Sequence, residues 1–241
     1  MNPVRSWGAV AVLATTVLMS CTETPALNMN PWNPRLAETT ARLLEDTASV
    51  SEERKSELNA LAQWTAESLD ERGQADLIFI CTHNSRRSHL SQVWAQVGAD
   101  VSGVKGIQTF SGGTEATACN PRTVAAMQRA GFEVAQQDTI HGETNPTYLV
   151  STGLTDMACF SKKYGDESNP SEGFGAVMTC SSADRGCPLV YGADARFAIP
   201  YVDPKVSDGT DAEAATYDAR LEQIGTEMLY LMGQVAARVT R

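Results

Sequence analysis

Hydrophobic positions recur along the chain with two different periods, and the change between them separates helices from strands. Leucines at positions 36, 43 and 44 have helical spacing, and a second apolar stripe follows Ser51, a residue type suited to cap a helix. From Ala75 the period changes, because residues 77–80 form the continuous apolar run that is typical of a buried strand. The pattern predicts a helical extension over 35–72, packed on the main domain, followed by a strand.

The remaining chain alternates predicted strands with predicted helices. Helical spacing follows from Leu90 to Val97, Pro121 opens another helix, and a long helix covers residues 212–238. Short apolar runs at 107–110 and 175–179 indicate further strands. This alternation predicts an α/β domain over 73–241, with an open, mostly parallel sheet covered by helices on both faces. Residues 139–172 fit this scheme poorly, and we interpret them as an insertion that could form a hairpin.

The N-terminus has the pattern of a targeting segment. Arg5 precedes an apolar run of about a dozen residues, shorter than the roughly 20 that a membrane-spanning helix needs. The run ends in Leu-Met-Ser-Cys at 18–21, which resembles a bacterial lipoprotein processing site. We predict a lipoprotein-type signal peptide over 1–20, a lipid on Cys21 and a spacer over 21–34. These features predict attachment outside the cytoplasmic membrane, on the periplasmic side of the bacterial cell envelope; an ordinary signal peptide with an incidental Cys21 is the alternative.

Composition and charge narrow the classes of function. The 241 residues are 42% hydrophobic and 20% charged, which is ordinary for a folded protein and excludes a collagen, a coiled coil or a wholly disordered chain. A formal charge of -10 argues against non-specific nucleic-acid binding. Any anion must therefore be bound by local geometry rather than by the overall field.

The segment 81–88 joins a predicted strand to a predicted helix and carries the clearest candidate chemistry. Backbone N–H groups of such a loop converge in front of the helix N-terminus, where a tetrahedral oxyanion fits. Cys81 would lie beneath that anion as a thiolate nucleophile, and Arg87 would close over it with a two-pronged guanidinium. Ser88 can donate a hydrogen bond to the thiolate, and Asn84 tolerates left-handed backbone. A buried cysteine beside solvated arginines is the alternative. The other candidate oxyanion-binding residues are Thr82, His83, Ser85 and Arg86.

The pattern Cys81-Thr-x-Asn-Ser-x-Arg87-Ser88 resembles the phosphate loop of the low-molecular-weight protein tyrosine phosphatases. It is equally similar to that of the thioredoxin-coupled arsenate reductases built on the same fold. Residues 110–115, followed by Asn-Pro at 120–121, resemble a second block of the reductases. The likeness covers 75–138 and 174–232 and implies a four-stranded sheet. It also implies that Asp203, in an Asp-Pro dipeptide, protonates the departing oxygen.

Cys180 and Cys187 form a Cys-x6-Cys-Pro pattern that leaves several interpretations open. A structural disulfide, a metal pair and unrelated buried thiols are all compatible with the spacing. No metal is predicted, because His141 has no partner pattern. The resemblance implies a redox relay in which Cys180 attacks an adduct on Cys81 and Cys187 then attacks Cys180. The relay needs no bound cofactor, but it needs an external dithiol donor such as a thioredoxin-like protein.

Three functions follow from these residues. The first is reduction of arsenate to arsenite through Cys81 and the three-cysteine relay. The second is a phosphatase acting on phosphotyrosine or small phosphate esters through a cysteinyl-phosphate, and the third is an inactive oxyanion-binding module. Departures from the family pattern are His83, where glycine is common, and Arg86, where many relatives have a second cysteine. We expect His89 to be a surface residue. Arg86 either attracts an anion or is a solvated surface arginine, and the second interpretation is at least as strong. We expect Cys119 and Cys159 to be core residues.

Overall fold

The computed structural model describes residues 33–137, 144–187 and 189–240, together with Met1. The predicted signal peptide, the lipidation residue Cys21, nearly all of the predicted spacer and His141 lie outside these residues. Within the described ranges, no helix combines the length and the apolar character that a membrane crossing requires.

The described helices begin and end where local sequence signals predict. Ser51 caps the second helix, since its hydroxyl accepts a hydrogen bond from the backbone N–H of Arg54 at 3.2 Å. Gly73 ends the same helix in a left-handed conformation, with φ of 70°. The helices are α1 (Pro34–Asp46), α2 (Glu52–Arg72), α3 (Arg87–Ser102), α4 (Pro121–Ala130), α5 (Ser181–Gly186) and α6 (Glu213–Ala236).

Seven strands of the described chain form two sheets. The larger sheet has the order β2-β1-β6-β7 with every pair parallel, and the smaller has the order β3-β4-β5 with antiparallel pairs. The predicted α/β class with a parallel four-stranded sheet is confirmed. The strands are β1 (Ala75–Cys81), β2 (Ile107–Gly113), β3 (Glu133–Gln136), β4 (Tyr148–Ser151), β5 (Asp156–Cys159), β6 (Phe174–Met178) and β7 (Ala193–Ala198).

Strand β1 is buried on both faces because it is central in the sheet. Leu77 and Phe79 belong to the large core formed with α1, α2, α3, α4 and α6. Ile78 and Ile80 point to the opposite face, where α5 covers the sheet. The carboxyl ends of β1 and β6 lie side by side, so that the chain segments beginning at Cys81 and Cys180 leave the same edge of the sheet.

The helical extension packs directly against the sheet, as predicted. Gly175 in β6 has no side chain, and a Cβ there would lie 2.6 Å from Cζ3 of Trp64 in α2. The ring of Trp64 also contacts Phe197 of β7, with 6.1 Å between ring centroids. The glycine therefore allows the indole of α2 to cover the parallel sheet closely.

The predicted insertion contains the small antiparallel sheet. Strands β4 and β5 form the expected hairpin, and β3, which precedes the predicted insertion, pairs with β4 and adds a third strand. Each of these strands has four residues, too few for a clear alternating pattern in the sequence.

Candidate active site

The loop after β1 has the position that the sequence predicts. Cys81 ends the strand at 3% exposure, and α3 begins at Arg87. Asn84 has a φ of 44°, and it is the non-glycine residue of the described chain with a left-handed backbone. Such a conformation stores strain of about 1–3 kcal/mol, which neighbouring contacts must offset.

A chain of hydrogen bonds connects the strained residue to the cysteine. The backbone N–H of Lys162 donates to Oδ1 of Asn84 at 2.9 Å, so that Nδ2 faces Ser88 and donates to its Oγ at 2.9 Å. Because the Ser88 oxygen accepts this bond, its own hydrogen is free for the sulfur of Cys81, 3.2 Å away. The order of donors thus directs the Ser88 hydroxyl hydrogen toward the sulfur of Cys81.

Two glycines leave space for the loop. A Cβ on Gly113 would lie 2.2 Å from the carbonyl oxygen of Glu115 and 2.8 Å from that of Thr82. A Cβ on Gly112 would lie 2.4 Å from Cα of Tyr164. The glycines of the 110–115 block are therefore needed because neighbouring backbone segments lie too close to leave room for a side chain.

Arg87 has a different orientation from the predicted one. Its Nη2 donates to Oδ2 of Asp203 at 2.8 Å and its Nη1 donates to the carbonyl of Tyr201 at 3.0 Å. Its Nε is buried and has no hydrogen-bond partner among the residues that the structure describes. The two Nη atoms of Arg87 thus bond to the protein rather than projecting freely over the loop. The Nε donor remains available for an oxyanion.

Asp203 lies in the segment that follows β7, an edge strand whose carboxyl end is on the same side of the sheet as that of β1. It caps a short 3-10 turn at Pro204–Ser207, where Oδ1 accepts from the backbone N–H of Lys205 at 3.1 Å. Its other oxygen makes the ion pair with Arg87, and its side chain is 26% exposed. A carboxyl group with this partial exposure can exchange a proton with a bound substrate.

Arg86 is not a solvated arginine. Its side chain is 12% exposed, and its Nε donates to the hydroxyl of Tyr217 at 2.9 Å. That hydroxyl donates in turn to Oδ1 of Asp208 at 2.8 Å. Burial raises the pKa of Tyr217 to about 12, so the phenol remains protonated at neutral pH. The contact with α6 explains why Arg86 is buried, and the local sequence does not reveal it.

His89 is also not on the surface, contrary to the expectation from sequence. It is fully buried in α3, and Nδ1 lies 3.1 Å from Oγ of Ser111 in β2. Burial, with a smaller effect of the Lys162 charge, lowers the pKa of His89 to about 3. His89 is therefore a core residue that is neutral at pH 7.

The remaining loop residues differ in exposure. The His83 ring is 44% exposed, with Nε2 3.5 Å from Oε2 of Glu115. Ser85 is buried at 7% exposure, and its carbonyl accepts from the backbone N–H of Asn120 at 3.0 Å. Thr82 faces a second cysteine, because its Oγ1 lies 3.4 Å from Sγ of Cys180.

Cys180 and Cys187 lie at the two ends of α5. Cys180 is 1% exposed and caps the helix, and its sulfur accepts from the backbone N–H of Ala183 at 3.3 Å. Cys187 is less buried and follows the last turn. Seven residues of helical rise separate their Cα atoms by about 10 Å, beyond the roughly 7 Å that a disulfide can span. Accordingly, both thiols are free in the structure, without the structural disulfide that the spacing left open.

Cys119 and Cys159 are core residues, as expected. They are 1% and 0% exposed. Burial raises the pKa of the Cys159 thiol to about 12 and raises that of Cys119 as well. Neither thiol is therefore a nucleophile at neutral pH.

One group of residues beside the loop has no recognisable pattern in the sequence. Ser161 donates to the carbonyl of His83 at 2.8 Å, and Asn145 binds the backbone of Ser161. The contact between Ser161 and His83 joins positions 78 residues apart. No local pattern could have identified it.

Comparison with known proteins relates the chain to arsenate reductases. No family model matches it. Arsenate reductase 2 of Staphylococcus haemolyticus is 29% identical over 114 residues, which cover 47% of this chain and 66% of that protein. Arsenate reductase of Bacillus licheniformis is 25% identical over 152 residues, covering 62% of this chain and 88% of that protein. This chain thus spans slightly less than two thirds of the staphylococcal relative.

Comparison with solved structures gives matches with low TM-scores and low identity. A low-molecular-weight protein tyrosine phosphatase from Bacillus subtilis gives a TM-score of 0.44 at 16% identity, covering 66% of this chain and 96% of that one. A thioredoxin-dependent arsenate reductase of Corynebacterium glutamicum gives 0.36 at 16% identity, covering 79% and 80%. By sequence, therefore, the chain is similar to arsenate reductases at modest identity.

Proposed function

We propose that this protein reduces arsenate to arsenite through Cys81, Cys180 and Cys187. The proposal agrees with the sequence similarity to arsenate reductases over 47% to 62% of the chain. The observation that carries it is the second sulfur beside the oxyanion loop, since Sγ of Cys180 lies 3.4 Å from the Thr82 hydroxyl. A hydrolytic phosphatase needs the first sulfur but has no use for the second.

In the first step, the Cys81 thiolate attacks arsenic and a sulfur–arsenic bond forms while one oxygen leaves. Asp203 supplies the proton, so that the oxygen departs as water. The unpartnered Nε of Arg87 and the loop N–H groups bind the remaining oxygens. The hydrogen of Ser88 stabilises the thiolate before attack.

In the second step, the Cys180 thiolate attacks the sulfur of Cys81. A disulfide forms, the sulfur–arsenic bond breaks, and its electron pair leaves with arsenic as arsenite. Two thiols are oxidised and arsenic is reduced by two electrons. Cys187 then attacks Cys180, which releases Cys81 and forms a Cys180–Cys187 disulfide. Because helical rise separates the two Cα atoms by about 10 Å, this step requires α5 to unwind. An external dithiol, such as a thioredoxin-like protein, reduces that disulfide and no bound cofactor takes part.

Variants of the relay cysteines distinguish arsenate reduction from phosphate-ester hydrolysis in one experiment. We expect Cys180→Ser to abolish arsenite release with a dithiol donor, because serine cannot accept the oxidation, while the protein still forms the Cys81 adduct. Cys187→Ser should allow one turnover at most and then stop as a Cys81–Cys180 disulfide. Arsenite release is measured with the purified protein in single- and multiple-turnover assays.

Hydrolysis of an aryl phosphate is the control for this experiment. A protein that hydrolyses the ester equally well in wild-type, Cys180→Ser and Cys187→Ser forms, and releases no arsenite, is a phosphatase. A protein that binds phosphate but turns over neither substrate is an oxyanion-binding module. Either result contradicts the reductase.

The proposal includes lipid attachment at Cys21 and a position on the periplasmic side of a bacterial envelope, based on the apolar run and the Leu-Met-Ser-Cys pattern. We expect the full chain, expressed in a bacterium, to incorporate labelled fatty acid and to sediment with membranes. Cys21→Ser should remove the label, whereas Cys119→Ser should retain it. Label that persists in Cys21→Ser would contradict the anchor.

A further inference from the structure

The predicted insertion returns to the oxyanion loop after β5. Residues 160–164 run beside the end of β2, where the N–H of Gly113 donates to the carbonyl of Lys162 at 2.8 Å. The N–H of Tyr164 donates to the carbonyl of Gly113 at 2.9 Å. The insertion is therefore joined to the wall of the site by backbone hydrogen bonds.

Ser161 is the side chain of this segment that reaches the loop. It is 2% exposed, and its Oγ donates to the carbonyl of His83 at 2.8 Å while accepting from the backbone N–H of Thr117 at 2.7 Å. The hydroxyl is thereby fully used, since its only hydrogen goes to the loop. Replacing it leaves the N–H of Thr117 without this acceptor, and the His83 carbonyl then keeps only the longer bond from the Thr117 hydroxyl, at 3.2 Å.

Asn145 fixes Ser161 from the other side. Its Nδ2 donates to the carbonyl of Ser161 at 2.8 Å, and its Oδ1 accepts from the N–H of Ser161 at 3.1 Å. One side-chain amide thus satisfies both backbone groups of Ser161. The pair of bonds determines where the serine hydroxyl lies.

The carbonyl of His83 belongs to the peptide that precedes the strained residue Asn84. Because a peptide is planar, holding this carbonyl also fixes the direction of the Asn84 N–H. The next residue in the insertion, Lys162, holds the Asn84 side chain at 2.9 Å. Two consecutive residues of the insertion therefore hold the backbone and the side chain at the point where the loop reverses.

We propose that Ser161, held by Asn145, is a positioning residue for the oxyanion loop, which keeps the His83–Asn84 peptide in the orientation that binds the anion. Through Asn84 and Ser88, the same residue maintains the hydrogen bond on the Cys81 sulfur. This inference rests on the proposed function, because it assigns the insertion to the same site. It also gives the insertion a role that a purely structural hairpin would not have.

The test uses Ser161→Ala and Asn145→Ala in the full chain. Ser151→Ala is the matched control, because the Ser151 hydroxyl also bonds to a backbone group, the N–H of Gly153 at 3.1 Å, in the hairpin turn of the same insertion. Inorganic phosphate binding is measured by calorimetry. The pH dependence of iodoacetamide alkylation at Cys81 is followed by mass spectrometry of its peptide.

We expect Ser161→Ala and Asn145→Ala each to weaken phosphate binding about 10-fold, the effect of losing one or two buried hydrogen bonds. The pH at which Cys81 is half-maximally alkylated should rise in both variants. Ser151→Ala should match the wild type in both measurements. A structural role alone would lower the thermal midpoint without moving the alkylation profile.

The inference is overturned if Ser161→Ala and Asn145→Ala leave the alkylation profile and phosphate affinity unchanged. It is also overturned if Ser151→Ala causes the same losses. A wild-type protein that binds phosphate but reduces no arsenate would refute the proposed function alone. If the wild type binds no phosphate, the alkylation profile decides the present inference.

Discussion

Replacing Cys81 with serine is expected to lower arsenate turnover by about 10⁴-fold or more, because a serine hydroxyl in the same position has no general base to activate it. The hydroxyl is much less acidic than a thiol, and Ser88 can only stabilise a charge that already exists. Steady-state arsenite release by the purified variant measures the loss.

Phosphate affinity should change much less in this variant, because the loop N–H groups and Arg87 remain. Cys119→Ala is the matched control, since Cys119 is a buried thiol whose pKa is raised by burial. It should keep its activity at the cost of some stability. A Cys81→Ser protein with more than a tenth of wild-type turnover would contradict a sulfur nucleophile.

Arg87→Lys is expected to lower kcat/KM for arsenate by about 10²- to 10³-fold, the cost of losing an oxyanion donor. Lysine retains the positive charge, but its three donors share one nitrogen. They cannot match the separate positions of Nη1, Nη2 and Nε, which face the Tyr201 carbonyl, Asp203 and the substrate. The main effect should be on kcat, because the arginine binds the remaining oxygens most strongly as charge develops on them in the transition state. Initial rates over a range of arsenate concentrations separate kcat from KM.

Arg129→Lys provides the comparison, because Arg129 makes a two-pronged ion pair with Asp218 away from the loop. Its side chain is 38% exposed, and such pairs contribute only about 0–1 kcal/mol to stability. Its kinetics should equal those of the wild type. Equal kinetic losses in the two variants would refute a specific role for Arg87.

The features that the sequence predicted are those determined by neighbours along the chain. Ser51 caps α2 by accepting a hydrogen bond from the N–H three residues further along the chain. Asn84 reverses the direction of the loop through its own left-handed backbone. The run before Cys81 predicts a buried strand because a central parallel strand is apolar on both faces. Patterns among neighbouring residues were therefore sufficient to predict the class of sheet and the position of the loop.

The features that the sequence missed depend on contacts between distant segments. His89 looks like a polar residue at a helix start, but β2 covers it and Ser111 shares a hydrogen bond with its ring. Arg86 is buried because Tyr217 of α6, 131 positions away, meets its guanidinium. Arg87 bonds to Asp203 across 116 positions, so its orientation could not follow from the loop alone.

The strictest structural requirement in this region is the lack of space around Gly113, more than the reactivity of any side chain. Gly113 contributes no functional group, yet even a methyl group there would overlap two carbonyl oxygens and the backbone nitrogen of Asn84. An alanine at that position would push apart the segments that surround the anion before any catalytic side chain was altered. Whichever oxyanion the protein binds, we expect a substitution at the exposed loop residue His83 to disturb the loop less than one at Gly113.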